Sequence, residues 1–343
     1  MMQTRIGLDA ITMIVSGEHV ERHVDYEERR NGQGKVFLTV KGQKNGMFRV
    51  VVIPCAIVRD NNLEPYSFGD VKKLKKIVRC IERELKAILG VNELGGMAVK
   101  AIEVNSNRVI RRKRVDADMV VALLEHATLV PKTENRPVKD IQTISHMHAE
   151  YTANNMKKKV HDGFQTARDS SGRYKLKVYR KDRQMKMEGK MPPVIRLEMV
   201  YNMRGVRHML GKEEIGLERL LQAESLCQII KQYAIDMNSV IVPQLQIFLE
   251  AAVKTVYNDL KEGEGAYKTL LKHYEVVKYD YEIFRKALRR YYRLVGNTRE
   301  SAKVQCSRLK RTLIEHDNLT ISDGTVKELS GLFRDVRKVS MDC

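Results

Sequence analysis

YKLKVYRKDRQMKMEGKMPPVIRLEMVYN, residues 174–202, decides how the chain is read. Side chains on a strand alternate between its two faces. In YKLKVYRK (174–181), Leu176 and Val178 point one way, while Lys175, Lys177, Tyr179 and Lys181 point the other. In VIRLEMVYN (194–202), Ile195, Leu197, Met199 and Tyr201 share one face, and Arg196 and Glu198 share the other. The piece between them (182–193) is rich in Met, Lys and Gly and ends in Pro192-Pro193, which reads as a loop. If the two strands pair antiparallel, Tyr179, Lys181, Arg196 and Glu198 fall on one polar surface.

That set has a chemical use. A tyrosine can attack a phosphodiester and hold the cut strand as a phosphotyrosine. Its phenol has a pKa of about 10, so it needs activation by positive charge or a metal. Lys181 would face the same phosphate, and Glu198 can hold a hard divalent cation that polarises a phosphoryl oxygen. The residues also have a plain structural use, since tyrosines and cross-strand Lys–Glu pairs are common on sheets. Spacing alone does not choose between the two.

Further upstream the chain also reads as strands. GKVFLTVKG (34–42) and MFRVVVIPCAIV (47–58) are rich in β-branched residues, and the Gln43-Lys44-Asn45-Gly46 segment between them is a hairpin signal. A helix follows from Val71, with Asp70 as its expected N-cap and Gly90 as its terminator. Its apolar stripe is Val71, Leu74, Val78, Ile81, Leu85 and Ile88, and Lys72, Lys73, Lys76, Arg79 and Arg83 lie opposite. A short strand, AVKAIEVN (98–105), precedes the basic run RVIRRKR (108–114), and a helix begins near Asp116 or Asp118. TLVPKTENRPVKD (128–140) reads as a loop. Beyond Gly211 the periodicity is helical almost throughout.

The expected fold is therefore α+β. An antiparallel-sheet domain (1–208) is followed by a mostly helical one (209–343), in keeping with about 150 residues per domain.

The chain carries 62 Lys+Arg against 43 Asp+Glu, a net charge of +19. Such an excess favours a polyanion, because each neutralised phosphate releases a counterion. Basic candidates for nucleic-acid contact are Arg111, Arg112, Lys113 and Arg114, then Lys175, Lys177 and Arg196, then Arg308, Lys310 and Arg311. The last three lie on a helix that Thr298 can cap, with the look of a recognition helix. No uninterrupted apolar run reaches the roughly 18 residues of a membrane span. Asp9 interrupts the apolar N-terminal run, which does not read as a signal peptide. The five cysteines form no C-x-x-C pair, so neither a zinc site nor a disulfide framework is indicated, and a reducing compartment fits.

Two further sets bear on metal binding. His146 and His148 project to one face if their segment is a strand, and to different faces if it is a helix. Ile141, Ile144, His148 and Tyr151 carry a helical stripe, so both readings stand. Glu103, in AIEVN, is either a further metal ligand or the polar side of an amphipathic strand.

KLKVYRKDRQMK followed by VIRLEMVYN resembles the active-site region of the gene II-type replication initiators of filamentous phages. That family shows a strand with Tyr-x-Lys and then one with Arg-hydrophobic-Glu, matched here by Tyr179, Lys181, Arg196 and Glu198. The hairpin around Gln43–Gly46, the order helix, acid-bearing strand, helix, and the segment GNTRESAKVQCSRLKRTLIEHDNLTIS (296–322) extend the likeness over about two thirds of the chain. One departure is Ala101-Ile102-Glu103, where the family has Arg-Ile-Asp.

The resemblance implies a site-specific DNA endonuclease and strand transferase of rolling-circle replication. Tyr179 would be the nucleophile and Lys181 its partner at the phosphate. Mg²⁺ or Mn²⁺ would be held by Glu198, with Glu103 or the histidine pair. The implied partners are double- and single-stranded origin DNA, with a host helicase or polymerase and self-association as further expectations. The implied setting is the cytoplasm of a bacterial host, with no membrane partner. The same motifs fit a plasmid mobilisation relaxase, and the basic charge alone fits a non-catalytic DNA-binding replication regulator.

Overall fold

A computed structural model describes residues 5–59, 64–90, 97–129, 142–144, 163–168, 172–211 and 214–342. Nine strands form one sheet: β1 (Ile6–Val15), β2 (Tyr26–Arg30), β3 (Val36–Gly42), β4 (Phe48–Val52), β5 (Ala98–Val109), β6 (Gln142–Ile144), β7 (Gly163–Arg168), β8 (Tyr174–Arg180) and β9 (Val194–Asn202). Their order is β2-β3-β4-β1-β5-β9-β8-β7-β6, and every pairing is antiparallel. The fold is α+β, with the sheet in the N-terminal part and helices thereafter.

The β3–β4 hairpin turns where its sequence places it. Gly46 sits at φ +72°, a left-handed conformation that glycine adopts without strain. The apolar run after it is not all strand, however. Pro54 opens a short helical turn, Pro54–Val58, because a fixed φ and a missing N–H suit the first turn of a helix and not a sheet ladder.

The helix expected from Val71 is α1 (Leu74–Leu89), preceded by a 3₁₀ turn, Phe68–Lys73. Asp70 is not its N-cap. Its carboxylate accepts the Ser67 backbone N–H at 3.0 Å and pairs with Arg59, so it anchors the start of the turn. Gly90 at φ +77° ends the helix as expected. Helix α2 (Ala117–Leu129) starts where Asp116 accepts the N–H of Asp118.

One sheet face packs on helices. Ile102, Val104, Val178, Leu197 and Met199 meet α2 and a long helix, α4 (Ala223–Lys261), which follows the short α3 (Met203–Leu210). Helix α4 is long and apolar enough in its middle to cross a membrane. Its Leu226, Ile229, Tyr233, Met237 and Ile241 are packed into the sheet's core.

A second core joins the far end of α4, from Val253, to α5 (Glu282–Leu294) and α6 (Arg299–Glu315). The last helix, α7 (Thr325–Met341), returns to the first core through Leu329, Leu332 and Val336. The two cores thus meet within α4.

Candidate active site

Four adjacent strands bring one polar cluster together on the sheet face away from α4. Tyr179 lies directly opposite Arg196, and Lys177 opposite Glu198, in the β8–β9 register. On β9's other side, Glu198 faces Asn105 and Arg196 faces Asn107 of β5. Glu103 is also on β5. Asp9 enters from β1 at a register shift between Leu8 and Ala10, the kind of bulge that re-aims a side chain.

The contacts are close. Carboxylate oxygens of Asp9, Glu103 and Glu198 lie within 4.8 Å of one another. The Lys177 ammonium bridges two of them, at 2.5 Å from Glu198 Oε1 and 3.2 Å from Glu103 Oε1. The Tyr179 hydroxyl donates to Glu198 Oε2 at 2.9 Å. Arg196 donates to Asp9 Oδ2 at 2.8 Å and to Asn107 Oδ1 at 2.9 Å.

Burial dominates the electrostatics. Arg196 is 0% exposed, Glu198 2% and Tyr179 3%. Burial, then the charge on Glu198, pushes the Tyr179 phenol well above its ordinary value. The same two causes raise Glu103 from 4.5 to about 7. A carboxyl whose pKa is raised on folding contributes stability at low pH and loses it as pH rises through the folded value. Without added divalent cation, stability should therefore fall between about pH 4.5 and pH 7. Glu103→Gln should flatten that stretch of a urea-denaturation pH series.

Three hard oxygen donors in one cluster suit Mg²⁺ or Mn²⁺. Among the described residues Asp9 Oδ1 and Asn105 Oδ1 are buried without a hydrogen-bond partner, so the cluster has acceptor capacity that the protein itself leaves unused. The residues present fit a divalent cation.

Several expected site residues stand elsewhere. Lys181 is not on the strand, which ends at Arg180. Arg180 pairs with Asp182 and Asp118, Asp182 accepts the N–H of Val194, and the chain turns into a helical segment, Lys181–Gln184. Lys181 is buried there, donates to Gln184 Oε1 at 2.6 Å, and still feels Arg196, Asp9 and Glu198. Burial first, then Arg196, brings its ammonium down to about 8.

Arg196 cannot touch DNA from this position, being wholly buried against Asp9, and Lys177 serves the carboxylates. Lys175 lies on β8 opposite Val200, outside the cluster. Arg111, Arg112, Lys113 and Arg114 are exposed, with Arg112 paired to Glu328. Thr298 caps α6, accepting the Ser301 N–H, and Arg308 and Arg311 are exposed on it. Lys310 instead pairs with Asp323 at 2.7 Å and lies over the Tyr281 ring. His146 and His148 lie outside the described residues, as does the 130–140 stretch read as a loop.

Asp9 and Asn105 were not among the expected site residues. The signal for Asp9 was an acid inside an apolar strand, IGLDAITMIV.

Gly163 of β7 lies opposite Tyr179, and a Cβ there would meet Val178 O at 2.1 Å and Tyr179 Cβ at 2.4 Å. Gly163→Ala should cost about 1–3 kcal/mol in urea denaturation, because backbone has to shift to admit it.

No family model and no curated protein matches the chain. Among solved structures it is similar to one described as a rolling circle replication initiator protein from Geobacillus stearothermophilus. The two share 10% identity over 68% of this chain and 84% of that one, with a TM-score of 0.34. The functional reading rests on the cluster's own residues. The likeness is not to a filamentous-phage protein, and the gene II-type resemblance stands on the sequence motifs alone.

Proposed function

We propose that the chain nicks and rejoins one DNA strand through Tyr179 to start rolling-circle replication of phage or plasmid DNA. The carrying observation is the convergence of a tyrosine, three carboxylates and a buried arginine from four neighbouring strands.

Tyr179 Oη attacks the scissile phosphorus, and its proton passes to Glu198 Oε2, its hydrogen-bond acceptor. A P–O bond forms to the tyrosine and the bond to the 3′ oxygen breaks. The 3′ oxygen leaves as an alkoxide and takes a proton from water, so the products are a 5′-phosphotyrosyl link and a free 3′-hydroxyl that primes synthesis. Asp9, Glu103 and Glu198 would hold Mg²⁺ or Mn²⁺, which supplies polarisation of the phosphoryl oxygen. Lys181 supports the charge that builds on the phosphate, and Arg196 fixes Asp9. The same steps in reverse rejoin the strand. Because Tyr179 is closed off here, DNA engagement has to open this face.

That burial favours a second reading, a DNA-binding replication regulator in which the cluster only stabilises the sheet. Supercoiled DNA of the replicon that encodes the chain separates the two. The nickase reading expects conversion to open circles with Mg²⁺ or Mn²⁺ and none with EDTA. Binding of the same DNA with no nicking under either condition would select the regulator.

A further inference from the structure

A second charged feature lies towards the other edge of the sheet. An open groove of about 730 Å³ is bounded by β2, β3, the Pro54–Val58 turn and α1. Phe37, Ile57 and Cys80 give it an apolar floor, and Arg29 and Arg30 stand at one wall. The opposite wall is the outer face of α1. Lys76, Arg79, Arg83 and Lys86 are spaced three and four residues apart, and all four are exposed. At about 100° per residue they fall within one narrow stripe, and at about 1.5 Å per residue the stripe runs roughly 15 Å.

The wall arginines and Arg83 already have carboxylate partners in Glu27, Glu28 and Glu84. Among the described residues no ion pair involves Lys76 or Arg79, so the two cations at the N-terminal end of the stripe have charge to offer a ligand. An apolar floor between guanidinium groups suits an unstacked base, and a line of cations suits a phosphate backbone. A duplex keeps its bases inside and would use only the stripe. A single strand uses both.

The groove shares no lining residue with the carboxylate cluster, whose nearest strand, β1, is two steps from β3, and it lies farther from Tyr179. From β3 to β8 is five strand steps across the sheet, about 24 Å at ~4.8 Å per step. We propose that this groove is a separate binding site for single-stranded DNA, which holds a strand clear of the Tyr179 centre. The proposal rests on the nucleic-acid reading of the chain, not on its cutting chemistry.

Fluorescence anisotropy with a labelled oligothymidylate of about 20 nucleotides tests it, the probe being longer than the roughly 4–16 that one such site covers. The full chain is compared with Lys76→Ala/Arg79→Ala and with a control of equal charge loss on exposed lysines elsewhere, Lys254→Ala/Lys268→Ala. A thermal melt verifies that each variant is folded. The groove variant should bind about tenfold more weakly, and its salt slope should fall by about 1.4, at ~0.7 per single-strand phosphate. A floor variant, Ile57→Gln, should lose affinity for the oligothymidylate but not for a blunt duplex of equal length, which reaches only the stripe, and the charge control should match wild type.

Wild-type affinity and slope in the groove variant would overturn the proposal. So would an equal loss in the control, or an equal loss on the duplex in the floor variant. A wild-type chain that binds neither probe would overturn the nucleic-acid reading as well.

Discussion

Tyr179→Phe should abolish covalent capture of DNA and slow strand cleavage by at least about 10⁴-fold, while the fold survives. The size of the loss follows from the role, because removal of a sole nucleophile leaves only the residual catalysis of binding and electrostatics. The fold survives because the ring stays and only the hydroxyl goes. The hydrogen bond from that hydroxyl to Glu198, at 2.9 Å, contributes about 1 kcal/mol. Single-turnover cleavage of origin DNA, read beside a melting curve, separates the two effects. If Tyr179 only stabilises the sheet, the variant should instead lose stability and cleave at the wild-type rate, or neither protein should cleave.

The second large effect is on stability. Arg196→Met should cost about 3–5 kcal/mol, because it strands Asp9 as a buried charge without its partner. For a chain of 343 residues that is a fall in Tm of roughly 4–7 °C. Arg196 is wholly buried and also holds Asn107, so Arg196→Lys should recover only part of the loss: a lysine cannot reach both acceptors in the same fixed fork. Asp9→Asn/Arg196→Met should be less damaging than the sum of its single changes, since both charges leave together. Urea denaturation of the four proteins measures the coupling. Additive losses would mean that Arg196 is not the partner that holds Asp9.

The sequence carried what repeats locally. Period-two alternation gave β9 as Val194–Asn202 and placed Lys177, Tyr179, Arg196 and Glu198 on one face, where the register puts them. It gave the face but not its depth. Arg196 looked like a cation for DNA because nothing in VIRLEMVYN tells that this face is covered. Lys181 looked like a strand residue because the ion pairs of Arg180 with Asp118 and Asp182 are not visible in a period-two pattern.

Asp9 was the hardest to see. It reaches Glu103 only through a bulge in pairing between strands more than eighty residues apart, and register shifts of that kind leave no mark on either strand alone. Lys310 was misjudged for the same reason, its partner Asp323 lying beyond the end of its own helix. The helix boundary at Gly90 was legible, since a left-handed glycine stop is a local event.

The central claim is that Tyr179 forms the bond to DNA. Its most direct test is to trap the denatured protein–DNA adduct formed with Mg²⁺ or Mn²⁺, trim it with nuclease and map it by mass spectrometry. The account predicts a nucleotide joined through its 5′ phosphate to the peptide that contains Tyr179, and to no other. A nucleotide on a different residue, or nicked DNA with no modified peptide at all, would contradict it.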